Sequence, residues 1–159
     1  HAVQAGSNLR DIAICSLMLY AGLGMSEVRF LKPNDILLKS GQIIIRPGKG
    51  RKQRTIPMDS HLRNILSNHI EQSGTVLFKS NKGGTLTPRG IQHMVKKYAS
   101  QAGLENVTPR ILCNSFRKNL IDNGMDLEKV AKQIGLSTPI ALRKFTAKDD
   151  GNAPNAKNV

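Results

Sequence analysis

The 159-residue chain is long enough to bury a hydrophobic core without disulfides or bound metal ions, and it fits a single domain. Its 24 Lys and Arg residues outnumber the 11 Asp and Glu residues. The resulting formal net charge of +13 indicates a polyanionic partner, most simply nucleic acid. With no Trp, two Tyr and four Phe, the chain is poorly supplied for stacking on single-stranded bases, which favours duplex DNA held through its phosphates.

The first third of the chain predicts two helices followed by a small sheet. Apolar residues recur at helical spacing from Leu9 to Tyr20, and the apolar run 12–23 is too short to span a membrane. A short second helix over 26–31 ends before Pro33, because the residue that precedes a proline avoids the helical region. Strands are predicted over 35–38, 42–46 and 54–58, and the Gly- and Lys-rich loop 47–53 joins the last two.

The remainder of the chain predicts mainly helices. They are expected over 59–72, 87–102, 108–123, 126–134 and 138–145, with a short strand over 76–78. Thr87 and Thr108 each place a capping hydroxyl before a proline at the first helical position. Cys15 and Cys113 lack a second Cys or a His at ligand spacing, which indicates reduced thiols, no metal site and no cofactor. The predicted fold class is mainly α with a small three-stranded antiparallel β-sheet.

Five segments, in this order, resemble motifs of the catalytic domain of tyrosine recombinases, the phage integrase family. They are YAGLGMSEV at 20–28, GKGRKQRTIP at 48–57, TPRILCNSF at 108–116, IGLS at 134–137 and RKF at 143–145. The resemblance implies a recombinase-like domain over 1–146. The polar composition of 147–159 predicts a mobile tail, and because recombinase tails dock onto a neighbouring subunit, this tail is the candidate segment for self-association. Because the chain starts at His1 and not at Met, we also expect an N-terminal DNA-binding domain outside this sequence.

The resemblance implies a reaction in which a tyrosine oxygen attacks a DNA phosphate, two arginines stabilise the charge, and a hairpin lysine protonates the leaving oxygen. The six positions at which the family carries its reacting groups are here Gly24, Lys49, Arg110, Cys113, Leu136 and Phe145. Only Lys49 keeps the family's residue, and the Phe145 ring has no oxygen that could act as a nucleophile. The sequence therefore predicts that the chain is not an enzyme but a DNA-binding regulator or accessory factor of a mobile element.

Two other interpretations remain open. The chain is either a working integrase whose reacting groups are displaced or supplied by a partner subunit, or an interaction module that binds protein or RNA. Neither Tyr20 nor Tyr98 matches the nucleophile segment. Arg110 lies three residues before Cys113 on the same helix face, so it could replace part of the arginine charge that is missing at Cys113. Glu27, which in the family braces an arginine, is expected to pair elsewhere or to face solvent.

The expected partner is double-stranded DNA in the cytoplasm of a prokaryotic cell or phage host, associated with the nucleoid, with no membrane. The cations expected to contact its phosphates lie on the hairpin, on the helix that begins at Pro88 and near the ends of later helices. They are Lys49, Arg51, Lys52, Arg54, Arg89, Lys96, Lys97, Arg110, Arg117, Lys118, Arg143 and Lys144.

Overall fold

A computed structural model describes residues 9–46, 53–73 and 76–146 of the chain. Within these ranges the architecture is helical with one three-stranded antiparallel sheet, which confirms the predicted fold class. The α-helices are α1 (Leu9–Tyr20), α2 (Met25–Phe30), α3 (Ser60–Ser73), α4 (Pro88–Gln101), α5 (Pro109–Asp122) and α6 (Leu127–Ile134). No helix in the described part of the chain is long and apolar enough to cross a membrane.

The sheet consists of β1 (Ile36–Leu37), β2 (Gln42–Ile45) and β3 (Arg54–Pro57), in that spatial order. In β2 and β3 the residues paired across the strands include Ile43 with Ile56, and both side chains are fully buried. Alternate residues of a strand point to opposite faces, so the sheet turns one apolar face to the core. Of the loop between β2 and β3, residues 47–52 lie outside the described residues, and with them the predicted contacts of Lys49, Arg51 and Lys52.

Two separate apolar clusters form the interior of the described residues. The first and larger cluster joins α1, α3, α4 and the sheet, and its fully buried side chains include Ile14, Leu17 and Leu62. The second joins α5, α6 and a 3₁₀ segment, Pro139–Phe145. Its buried members are Phe116, Val130, Ala131, Ile134 and Leu142. Because α5 contributes Cys113 to the first cluster and Phe116 to the second, it is the helix that connects them.

Apart from shifts of one or two residues at the ends of elements, the structure differs from the predicted elements in two places. Residues 76–78 are not a strand, although Leu77 and Phe78 are buried as a strand would require. The His69 ring stacks on the Phe78 ring with centroids 5.1 Å apart, and His69 Nε2 is hydrogen-bonded to the Leu77 carbonyl at 2.6 Å. Side-chain packing against α3 therefore holds this segment, without strand pairing. The last predicted helix is a 3₁₀ segment that begins at Pro139.

Candidate functional site

The site begins at the tight connection between α1 and α2. Leu23 N–H donates to the Leu17 carbonyl at 3.2 Å, which closes the end of α1 and places Gly22 in the left-handed region at φ +67°. A Cβ atom at Gly22 would lie 2.3 Å from Phe116 Cδ1, so the backbone packs directly on α5. Only glycine fits there, because the position requires both a positive φ and a missing side chain.

Cys113 lies on α5 opposite this connection. Its thiol donates a hydrogen bond to the Leu23 carbonyl at 3.0 Å, and burial raises the pKa of the thiol to about 11. Cys113 is therefore a neutral group near neutral pH. The contact also brings position 113 next to position 24, the two places at which the family carries its arginines.

Glu27 on α2 is paired with Arg54 on β3. The Arg54 guanidinium donates to both carboxylate oxygens, Nη1 to Oε1 at 2.6 Å and Nη2 to Oε2 at 3.1 Å. The same Glu27 Oε2 accepts the Gly24 N–H at 3.0 Å. Glu27 was expected either to pair with another residue or to face solvent, and in the structure it is paired. Arg54, predicted as a DNA-contacting cation of the hairpin, has a side chain only 11% exposed.

Arg54 also contacts the end of α6. Its Nε donates to the Gln133 carbonyl at 2.9 Å. Gly135 follows with φ +77°, and a Cβ atom there would lie 2.9 Å from Arg54 Nη1. One guanidinium therefore ties together β3, α2 and α6. Leu136, at the family's histidine position, is half-buried against the second cluster.

A second guanidinium lies near Cys113. Arg117 follows Cys113 by one helical turn on the same face of α5, and its charge lowers the thiol pKa that burial raises. Arg117 Nη1 donates to Asn114 Oδ1 at 3.1 Å, while its Nε is buried without a partner among the described residues. Arg110, which the sequence favoured as the substitute cation, is exposed in the first turn of α5. The spacing of four residues between Cys113 and Arg117 is the signal that would have identified this neighbour.

Phe145 occupies the nucleophile position as a packing residue. Its ring is half-buried against the second cluster, and the Lys144 ammonium lies 5.0 Å from the ring centroid. The chain's two tyrosines both belong to the first cluster. The Tyr20 ring meets His61 edge-on at 5.3 Å, and the Tyr98 hydroxyl donates to Asp11 at 3.0 Å.

The remaining predicted DNA-contacting cations are on the surface of the described residues. Lys118 pairs with Asp122 at 3.3 Å, a contact within one turn of α5. No group of three or more potential metal ligands occurs among the residues that the structure describes. Among the predicted DNA-contacting cations that the structure describes, the exposed ones are Arg89, Lys96, Lys97, Arg110, Arg143 and Lys144.

Comparison of the chain with known proteins identifies a matching family and several relatives. The chain matches the Phage integrase family over residues 1–151. Tyrosine recombinase XerA of Pyrococcus horikoshii is 34% identical over 155 residues, which covers 92% of this chain and 54% of the relative. Tyrosine recombinase XerC of Syntrophus aciditrophicus is 30% identical over 153 residues, covering 87% of this chain and 49% of the relative.

Solved structures of recombinases also superpose on this chain. A crystal structure of XerA recombinase superposes with a TM-score of 0.82 at 26% identity, covering 91% of this chain and 55% of that one. The XerH site-specific recombinase bound to its difH substrate superposes with a TM-score of 0.79 at 25% identity, covering 93% of this chain and 46% of that one. The present chain thus spans about half the length of the relatives it matches.

These relatives correct one prediction. The prediction that the chain is not an enzyme is wrong, because relatives that match most of its length are named tyrosine recombinases. That prediction rested on residue identity at six positions of the sequence. It considered Arg110 as a substitute cation but not the Arg54–Glu27 pair, which forms between residues far apart in sequence.

Proposed function

Because the chain belongs to the phage integrase family, we propose that it binds duplex DNA as the recombinase domain of a site-specific recombinase. In this proposal the reacting groups are displaced from the family positions or supplied by a partner subunit. The observation that carries the proposal is the Arg54–Glu27 pair, since Glu27 has kept an arginine partner although position 24 is glycine.

The charge distribution supports duplex DNA as the ligand. The chain carries a formal charge of +13, and Arg89, Lys96 and Lys97 are exposed along α4. Cations on a folded surface bind duplex phosphates and release condensed counterions. The XerH relative was solved bound to its difH substrate, which supports the same class of ligand here.

The nucleophile is the group that this chain must obtain from another position or another molecule. Phe145 has no oxygen, and the hydroxyl of Tyr98 is bonded to Asp11. We therefore propose that the attacking tyrosine comes from a partner subunit or from protein sequence beyond this chain. The proposal includes a mobile element as the DNA, the cytoplasm as the compartment, and self-association through the tail 147–159.

Trapping of the covalent intermediate on a suicide duplex tests this function. The duplex is taken from DNA beside the chain's own gene and carries a nick that traps a covalent intermediate. We expect covalent protein–DNA adduct in extract of the source cell, its loss when the chain is depleted, and its return when the purified chain is added. Adduct that persists after depletion would contradict the proposal, as would the absence of any adduct when the chain binds the duplex.

A further inference from the structure

The Arg117 guanidinium lies over the part of α5 that carries Cys113. Long side chains on a helix point back toward its N-terminus, and Arg117 Nη1 accordingly donates to Asn114 Oδ1 at 3.1 Å. Burial is the main cause of the raised pKa of the Cys113 thiol, while the charge of Arg117 opposes this shift and that of Glu27 adds to it. Both charges therefore act at the Cys113 thiol.

These two charges differ in how they are compensated. Glu27 is paired with Arg54, whereas no carboxylate of the described residues lies within 4 Å of the Arg117 guanidinium. Of the five N–H donors of Arg117, one is bonded to Asn114, and Nε is buried with no partner in the described part of the chain. A half-buried cation with an unpaired donor costs free energy, because it has lost water without gaining a partner. An anion bound to Arg117 would offset this cost.

The connection between α1 and α2 leaves room for an anion on this side of α5. The Cys113 thiol donates to the Leu23 carbonyl at 3.0 Å, so the connection lies against the stretch of α5 that Arg117 covers. At Gly24, the next residue, a Cβ atom would meet no heavy atom within 4 Å. Because Cys113 is uncharged and Gly24 has no side chain, Arg117 is a charge here that no carboxylate of the described residues neutralises.

We propose that Arg117 binds a backbone phosphate of duplex DNA where α5 faces the α1–α2 connection. This proposal rests on the proposed function and names the residue of α5 that makes one of its DNA contacts. The six positions at which the family carries its reacting groups do not include residue 117, so the resemblance does not imply this contact. The alternative is a structural role, in which Arg117 only fastens α5 through Asn114.

Thermal unfolding without DNA separates the two roles. Arg117→Met keeps an apolar side chain of similar length and removes both the charge and the unpaired Nε. If Arg117 serves DNA binding, the variant should unfold at the wild-type temperature or above it, because the cost of an uncompensated cation is gone. If Arg117 serves the fold, the variant should unfold at a lower temperature.

A salt titration of duplex binding measures the DNA contact itself. The whole chain is titrated onto a random duplex of about 30 base pairs, long enough for several phosphate contacts. Loss of one neutralised phosphate in Arg117→Met should make the slope of log affinity against log salt shallower by about 0.9. Affinity at moderate salt should fall about tenfold, as for loss of a charged hydrogen bond. Arg117→Lys should keep the wild-type slope, because it keeps the charge although it loses the planar fork.

Arg63→Met is the matched control. Arg63 on α3 is half-buried like Arg117, and its Nε is also buried without a partner among the described residues. Its guanidinium packs against Gly41, in the turn between β1 and β2. The control removes the same charge and the same kind of unpaired donor from a helix outside the proposed site. It should therefore leave the slope of the salt titration unchanged.

The outcomes distinguish this proposal from the proposed function. Absence of salt-dependent duplex binding by the wild type would remove both. Normal wild-type binding with an unchanged slope in Arg117→Met would overturn only the proposal about Arg117, and so would an equally shallow slope in Arg63→Met. If Arg117→Met does not fold, the side-chain N–H signals of Arg117 in the wild type are followed by NMR during duplex addition. A shift supports phosphate contact, and unchanged signals at saturation overturn it.

Discussion

Glu27 accepts three hydrogen bonds, from Gly24 N–H and from both Nη atoms of Arg54. Its side chain is 17% exposed and that of Arg54 is 11% exposed, so solvent screens the pair only weakly. A partly buried pair contributes little by itself, because desolvation offsets the attraction between the charges. Removing one partner is costly, since it leaves the other charge buried and unpaired.

The first prediction concerns this pair. Glu27→Ala should lower the free energy of unfolding by about 2–3 kcal/mol, because the Arg54 guanidinium would lose its counter-charge. The control is Asp122→Ala, which breaks the exposed pair with Lys118, whose side chains are 36% and 53% exposed. An exposed pair of this kind should cost about 0.5 kcal/mol or less. Urea denaturation of both variants measures the difference, and equal losses would show that Glu27 is not needed to compensate Arg54.

The second prediction concerns the two thiols. Burial raises the pKa of Cys113 to about 11 and that of Cys15 to about 12, so at pH 8 almost none of either is thiolate. Iodoacetamide should therefore label the native chain far more slowly than the chain in urea. Both pKa values lie above the unfolded value of 9.0, so the unfolded chain loses its protons first as pH rises. Stability should be unaffected by these thiols below pH 9 and should fall progressively from pH 9 to 12. Rapid native labelling at pH 8 would contradict the burial of both groups.

At the scale of secondary-structure elements, the connection between α1 and α2 positions the site against α5. At Gly22 the connection packs directly on α5, because a side chain there would overlap Phe116. The third prediction follows from this contact. Gly22→Ala should lower the free energy of unfolding by about 2–4 kcal/mol, because the energetic cost of a positive φ at alanine and the cost of the steric overlap with Phe116 add together.

Gly103→Ala provides the comparison for Gly22→Ala. Gly103 has a similar φ of +69°, but a Cβ atom there would meet nothing within 4 Å. The substitution should therefore cost only about 1 kcal/mol, the conformational part alone. Thermal unfolding of the two variants separates the two contributions. A loss as small for Gly22 as for Gly103 would show that α5 can move away from the connection.

Local patterns were enough to predict most elements. Thr87 and Thr108 cap α4 and α5 as expected, with their hydroxyls accepting from Gly90 and Ile111 N–H groups. The segment 76–78 was misassigned because an apolar run does not show whether burial comes from strand pairing or from stacking on His69. The Arg54–Glu27 pair joins residues 27 positions apart, and no periodicity or spacing signals such a contact. The missed part of the site is thus the part made by tertiary packing.

On the scale of the whole molecule, the charge of +13 predicts strongly salt-dependent duplex binding. The fourth prediction uses the hairpin cations Lys49, Arg51 and Lys52, which lie outside the described residues. If the wild type neutralises about five phosphates, the slope of log affinity against log salt is about −4.5, and replacing all three cations with Ala should make it shallower by about 2–3. Fluorescence anisotropy on specific and random duplexes measures both slopes. An unchanged slope would place the DNA surface on a different part of the chain.

The division of the interior into two clusters has a consequence for how the molecule opens. Among the described residues, 22 buried residues form the first cluster and five form the second. Local opening free energies follow the apolar area that each unit buries, so amide protons of α6 should exchange with solvent through a lower-energy opening than those of α1. Native-state hydrogen exchange would show this as two protection levels, and a single level would mean that α5 couples the clusters completely. An opening that releases α6 together with the segment that carries Phe145 breaks the Arg54 bond to Gln133, so the cost of that opening includes this bond.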